Sequence, residues 1–198
     1  MEMSGEERIP ASQADTWAAL NDPEMLKACV PGCESIDLTA ENEYQVLMVA
    51  RIGPVSAKFK GKLSLSDLNP PNSYAIAFEG QGGAAGFGKG SAQVQLAPGG
   101  EGTMLSYQVK ANVGGKLAQI GSRLVDAAAR KISQDFFAAF NEKVAALHGA
   151  HGAEEHAEHH VEPVPRDPDL PTVSDASLVF LAAGSLVVFV VALITLLG

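Results

Sequence analysis

Residues 80–91, GQGGAAGFGKGS, carry the spacing G-x-x-x-x-G-K from Gly83 to Gly88 and Lys89. That spacing belongs to the loop that cradles nucleotide phosphates. Such a loop also needs Ser or Thr after the lysine to hold a metal, and a helix whose first amides face the anion. Gly90 stands where the hydroxyl is required, and SAQVQLAP then alternates until Pro98. Alternation of this kind makes a strand, not a helix. The glycines are therefore expected to let strands bend, bulge or cross closely.

Other reactive side chains are sparse. Cys29 and Cys33 in CVPGC have three residues between them, one more than the two-residue interval of redox pairs. Two cysteines alone make neither a disulfide framework nor a zinc site, so reduced thiols are expected. All five histidines, His148, His151, His156, His159 and His160, fall in one stretch. Its run EEHAEHH could hold a divalent metal weakly, although a solvated acidic tail is the simpler reading. Residues 1–147 contain no histidine, so acid–base catalysis there would fall on carboxylates such as Asp126 and Asp135.

The elements that would position any site are legible from periodicity. A strand is expected over residues 2–9. A short helix starting at Ser12 or Asp15 carries Trp17 and Leu20 to Asn21, Asp22 and Pro23, and a second carries Met25, Leu26 and Cys29 to Pro31 and Gly32. Period-two runs follow: Tyr44 to Ile52, Val55 to Leu65, Tyr74 to Phe78, Ala92 to Leu96, and Leu105 to Val113. The second sets Val55, Ala57, Phe59, Leu63 and Leu65 against Lys58, Lys60 and Lys62, which read as a solvated face that discourages edge pairing. After Gly115, one helix to about Leu147 repeats apolar residues every three or four positions, from Leu117 and Ile120 to Phe136, Phe140 and Val144. One long apolar-striped helix and one sheet with an apolar face must cover each other. The expected architecture is α+β, a helix-grip fold with a curved antiparallel sheet wrapped around the long helix.

Two further segments are expected. Residues 148–175 lack apolar periodicity, and Pro163, Pro165, Pro168 and Pro171 block regular structure. This flexible linker holds seven acids and one base, so of the chain's net charge of -9 the part before it accounts for only -3. Scattered bases on an acidic chain argue against a nucleic-acid partner. From Ala176 to Leu197 there are 22 residues without a charge, roughly 33 Å of helix and enough for a bilayer core. We read residues 176–198 as a C-terminal transmembrane tail anchor. The first ten residues carry no apolar signal region, so the domain of residues 1–147 is expected to face the cytoplasm at the cytoplasmic membrane.

In order and spacing, MSGEERIPAS, TWAALNDPEML, CVPGC, GFGKGSAQV, and VGGKLAQIGSRLV followed by Phe136 and Phe137 resemble the carbon monoxide dehydrogenase CoxG family of the START-like superfamily. The resemblance covers residues 1–147. It implies a non-catalytic accessory protein that recruits a molybdenum hydroxylase of the CO dehydrogenase type to the membrane. It also implies a hydrophobic cavity for a lipophilic molecule, a quinone such as menaquinone or ubiquinone, held without a covalent bond. The residues expected to line that cavity are Trp17, Leu20, Phe59, Tyr74, Phe78, Phe87, Tyr107, Ile120, Leu124 and Phe136, with ordinary core packing as the competing reading for each. Tyr74 and Tyr107 have a phenol that can fix a polar headgroup. Two alternatives stay open: a cyclase- or hydratase-like enzyme on the same fold, and a docking scaffold without ligand.

Overall fold

The computed structural model describes residues 1–151, with side chains through residue 147. The apolar segment 176–198 and the expected linker beyond residue 151 lie outside the described residues. The chain opens with β1 (Glu2–Ile9), followed by α1 (Gln13–Leu20) and α2 (Pro23–Cys29). Capping sets both helix starts. Extended Ser12 accepts a hydrogen bond from the Asp15 amide, and Asp22 accepts one from the Glu24 amide at 2.9 Å. Pro23 occupies the first turn of α2, where its missing N–H is not needed.

Six more strands follow: β2 (Cys33–Ala40), β3 (Glu43–Ile52), β4 (Val55–Asn69), β5 (Ser73–Gln81), β6 (Phe87–Pro98) and β7 (Thr103–Gly114). All pairs are antiparallel, in the order β1-β7-β6-β5-β4-β3-β2. β2 is the strand that the period-two pattern does not announce. Only Ile36 of CESIDLTA is buried, because this edge strand leaves Glu34 and Asp37 to water.

The glycine-rich stretch makes a 3-10 turn, Gly83–Ala85, between β5 and β6. A Cβ on Gly86 would lie 2.0 Å from the Gly114 carbonyl oxygen, and one on Gly115 would lie 2.5 Å from Gly86 Cα. Two backbones touch here, and no side chain fits between them. Close crossing, not phosphate binding, accounts for these glycines.

Where one helix was expected after β7, there are two: α3 (Lys116–Gln119) and α4 (Ser122–His151). Gly121 separates them at φ 93°, in the left-handed region where an α-helix cannot continue. α4 also runs past Leu147 to His151, into the stretch read as linker. It packs on α2, β1 and β3, which come from opposite sides of the sheet, so the sheet wraps it. Ala129, Phe136, Phe140 and Val144 of α4 are fully buried among Tyr44, Met48, Phe59 and Leu63 of the sheet. Phe136 stacks on Phe140 with ring centroids 5.6 Å apart and meets Phe137 edge-on at 5.2 Å. Each buried ring contributes about 1.5–3 kcal/mol through lost contact with water.

Candidate functional site

Strand register exposes a bare strip on the inner face of the sheet. Val46 pairs with Gly61, Gly61 with Gly80, Gly80 with Gly88, and Gly88 with Val113. Alternation along each strand turns these residues the same way as buried Phe59, Leu63, Phe78 and Ala92, toward α4. Three adjacent strands thus carry no side chain at one level, and all three glycines are buried. Gly90 and Ala111 continue the small-residue strip at the next level. Two aromatic rings border it. A Cβ on Gly82 would stand 2.2 Å from the Phe59 ring, and one on Gly90 would stand 2.6 Å from the Phe78 ring.

The residues predicted from sequence fall into two groups. Leu20, Phe59, Tyr74, Phe78, Tyr107 and Phe136 are buried in one core, with Trp17 and Ile120 partly buried against it. Trp17 meets Tyr74 edge-on, centroids 5.5 Å apart. Phe87 and Leu124 do not belong to that interior: they are 49% and 48% exposed. Phe87 stands in β6 one residue out of phase with inward Gly88, and its ring lies along Gly114 instead, 2.5 Å from where a Cβ there would sit. For Leu124 the cause is the break at Gly121. It resets the helical phase, so Val125 and Ala129 take the inward positions.

Sequence reasoning missed the polar groups beside this core. Tyr107 stacks on Phe137 with centroids 5.8 Å apart, and its hydroxyl end reaches toward Gly5 on the neighbouring strand. A cleft of about 450 Å³ opens there between β1 and α4, lined by Glu7, Tyr107, Asp126, Arg130, Ser133 and Gln134 among others. Burial pushes the Glu7 carboxyl above its usual range. Burial also raises the Tyr107 phenol, against the opposing hydrogen bond from Ser133 and assisted by the Glu7 charge. At neutral pH Tyr107 is therefore a neutral donor. Only Gly5, a residue with no side chain in an otherwise ordinary strand, signals this site in the sequence.

Both cysteines are free thiols. Burial pushes each up to about 11; Lys143 opposes this at Cys29, and Lys27 opposes it at Cys33, where Asp37 and Glu34 add to the rise. Neither is an activated nucleophile. Among the described residues no group of three His, Cys, Asp or Glu side chains could hold a metal ion. None of the helices among those residues is long and apolar enough to cross a membrane.

No curated protein matches the sequence. Among solved structures, the chain is similar to a conserved protein from Geobacillus kaustophilus at 31% identity and a TM-score of 0.70, covering 74% of this chain and 96% of that one. It also shares a fold with a START superfamily protein from Mycobacterium smegmatis, at 14% identity and a TM-score of 0.60, over 74% of this chain and 98% of that one. A Thermus thermophilus protein is similar at 19% identity and a TM-score of 0.57, over 74% and 99%. The carbon monoxide dehydrogenase CoxG family matches residues 5–145, which span the sheet, the bare strip and nearly all of α4. With most of its length matched, the chain belongs to the carbon monoxide dehydrogenase CoxG family.

Proposed function

We propose that this chain is a non-catalytic, membrane-tethered accessory protein. In this reading it brings a molybdenum-containing oxidoreductase of the CO dehydrogenase type to the cytoplasmic membrane. It carries a lipophilic quinone, menaquinone or ubiquinone, between its sheet and α4. The family's name supports the partner, and the uncharged segment 176–197 supports the tether.

The observation that carries the ligand reading is the buried row Gly61, Gly80 and Gly88 on the inner face of the sheet. A strand interior loses stability with each glycine, by roughly 0.5–1 kcal/mol relative to alanine. Three in register, facing the core, make room for something other than a side chain. From Val113 to Tyr107 along β7 the strip extends about 20 Å at 3.4 Å per residue, a length suited to an isoprenoid tail. The Tyr107 hydroxyl, kept neutral by burial, is placed to donate a hydrogen bond to a headgroup carbonyl.

Energetics favour exchange over capture. In a bilayer the tail is already out of water, so the protein interior has only to match that environment. The headgroup bond then biases the equilibrium by about 1 kcal/mol. Residues 1–151 melted with and without a short-chain quinone test the reading. A ligand at a hundred times its Kd stabilises by about 2.7 kcal/mol, a rise of several degrees in Tm. No rise at saturation would contradict the ligand reading.

A further inference from the structure

The loops at one end of the domain come from distant parts of the chain and meet. The β3–β4 hairpin projects beyond β5, whose last pair on that side is Gln81 with Lys60. Leu124, at the start of α4, lies 3.7 Å from where a Cβ on Gly53 at the hairpin tip would be. Gly86, after the 3-10 turn, touches Gly115, which leads into α3. The hairpin tip, the 3-10 turn and the α3–α4 junction therefore form one rim at the end of the sheet where the glycine strip lies.

This rim is unusual in two respects. Its apolar side chains face outward: Phe87 and Leu124 are each about half exposed, Pro54, Ala84 and Ala118 are exposed, and Ile120 is partly so. Its charge is also of one sign. Residues 51–60, 80–90 and 112–125 hold six of the thirteen bases of residues 1–147 and no acid, in a chain whose net charge is -9. Of these, Lys58 is paired with Glu34 at 2.7 Å. Arg51, Lys116 and Arg123 are exposed and make no ion pair among the described residues.

We propose that this rim is a docking surface for an anionic lipid bilayer, with Phe87 and Leu124 entering the interface and Arg51, Lys116 and Arg123 meeting lipid phosphates. Exposed apolar loop tips ringed by bases fit a surface that is greasy below and negative above. An acidic protein surface would satisfy the bases but leave the apolar tips without a matching phase. The geometry is compatible with the expected tail anchor. α4 runs about 45 Å away from the rim at 1.5 Å per residue. Residues 152–175 extend to about 80 Å at 3.4 Å per residue, so rim and tail can reach one membrane together. The inference stands apart from the quinone reading, although a rim seated on lipid would open the glycine strip toward the bilayer.

The test uses residues 1–151, without the expected anchor; relatives whose chains consist almost wholly of this unit fold on their own. Flotation is measured with vesicles of phosphatidylcholine alone and of phosphatidylcholine mixed with phosphatidylglycerol. Binding to the anionic vesicles, weakened by salt, is expected, and little to the neutral ones. Replacing Arg51, Lys116 and Arg123 by Gln should weaken binding roughly 100-fold, at about 1 kcal/mol per base. The double variant Phe87→Ser, Leu124→Ser should weaken it separately, with Tm nearly unchanged for both because these side chains are exposed. Equal binding to both vesicle types, or no loss in either variant, would overturn the proposal. Absence of vesicle binding, with the charge variant releasing the domain from a polyglutamate matrix, would overturn it in favour of an acidic protein surface.

Discussion

Gly32 and Val49 meet backbone to backbone. The Val49 N–H donates to the Gly32 carbonyl at 2.9 Å, and a Cβ on Gly32 would stand 2.2 Å from the Val49 carbonyl oxygen. Gly32 also sits at φ 76°, a conformation that residues with a Cβ rarely adopt. The CVPGC stretch is thus a structural clasp that ends α2 and seats the start of β2 on β3. Its cysteines flank the clasp and take no part in it.

Gly32→Ala tests this. Strain at positive φ and a clash with rigid backbone add, and a loss of at least about 2 kcal/mol is expected. Urea denaturation of residues 1–151 would measure it. A midpoint within error of the parent would show that the clasp is not needed.

The Tyr107 hydroxyl requires a glycine beneath it. A Cβ on Gly5 would lie 2.4 Å from that oxygen and 2.6 Å from the ring carbon that bears it. Gly5→Ala should push the ring off Phe137, lowering stability by about 1–3 kcal/mol and weakening quinone binding. In a Tyr107→Leu background the same substitution should cost much less. Equal costs in both backgrounds would separate Gly5 from the tyrosine.

Cys29 and Cys33 give a pH-dependent prediction. Burial holds both thiols protonated up to about 11, while the unfolded chain releases those protons near the ordinary thiol range. Below that range the two cysteines leave stability unchanged with pH. As pH rises from about 9 to about 11, the unfolded state gains charge that the folded state resists, so stability falls. The Cys29→Ala, Cys33→Ala variant should lose less stability than the parent between pH 8 and pH 11. At pH 8 each thiol carries roughly a hundredfold less thiolate than an ordinary one, so iodoacetamide should label the folded domain slowly and the urea-unfolded chain quickly. Fast labelling in the folded state would contradict the burial account.

Much of this fold is legible without coordinates because its signals are local. Strand alternation from Tyr44 to Val113 and the apolar stripe through Phe136, Phe140 and Val144 mark the inner faces directly. The misses have physical causes. β2 carries a single buried residue, Ile36, so its pattern has almost no amplitude. Gly121 shifts the helical phase by ending one helix before another starts, which turns Leu124 outward and Val125 inward. The row Gly61, Gly80 and Gly88 depends on strand register, which periodicity does not specify. Glu7 and Ser133 flank Tyr107 only because β1 pairs with β7, the most distant strand in sequence, and α4 crosses beside them. Long-range pairing of this kind cannot be read from spacing.

The central claim is a lipophilic passenger above three glycines. It is tested most directly by purifying the full chain in mild detergent and measuring quinone in an organic extract, alongside Gly80→Leu, which fills the bare row. The account predicts close to one quinone per chain in the parent and almost none in a Gly80→Leu protein that still melts cooperatively. Quinone at the same level in both, or no more than in the detergent fraction without protein, would contradict it.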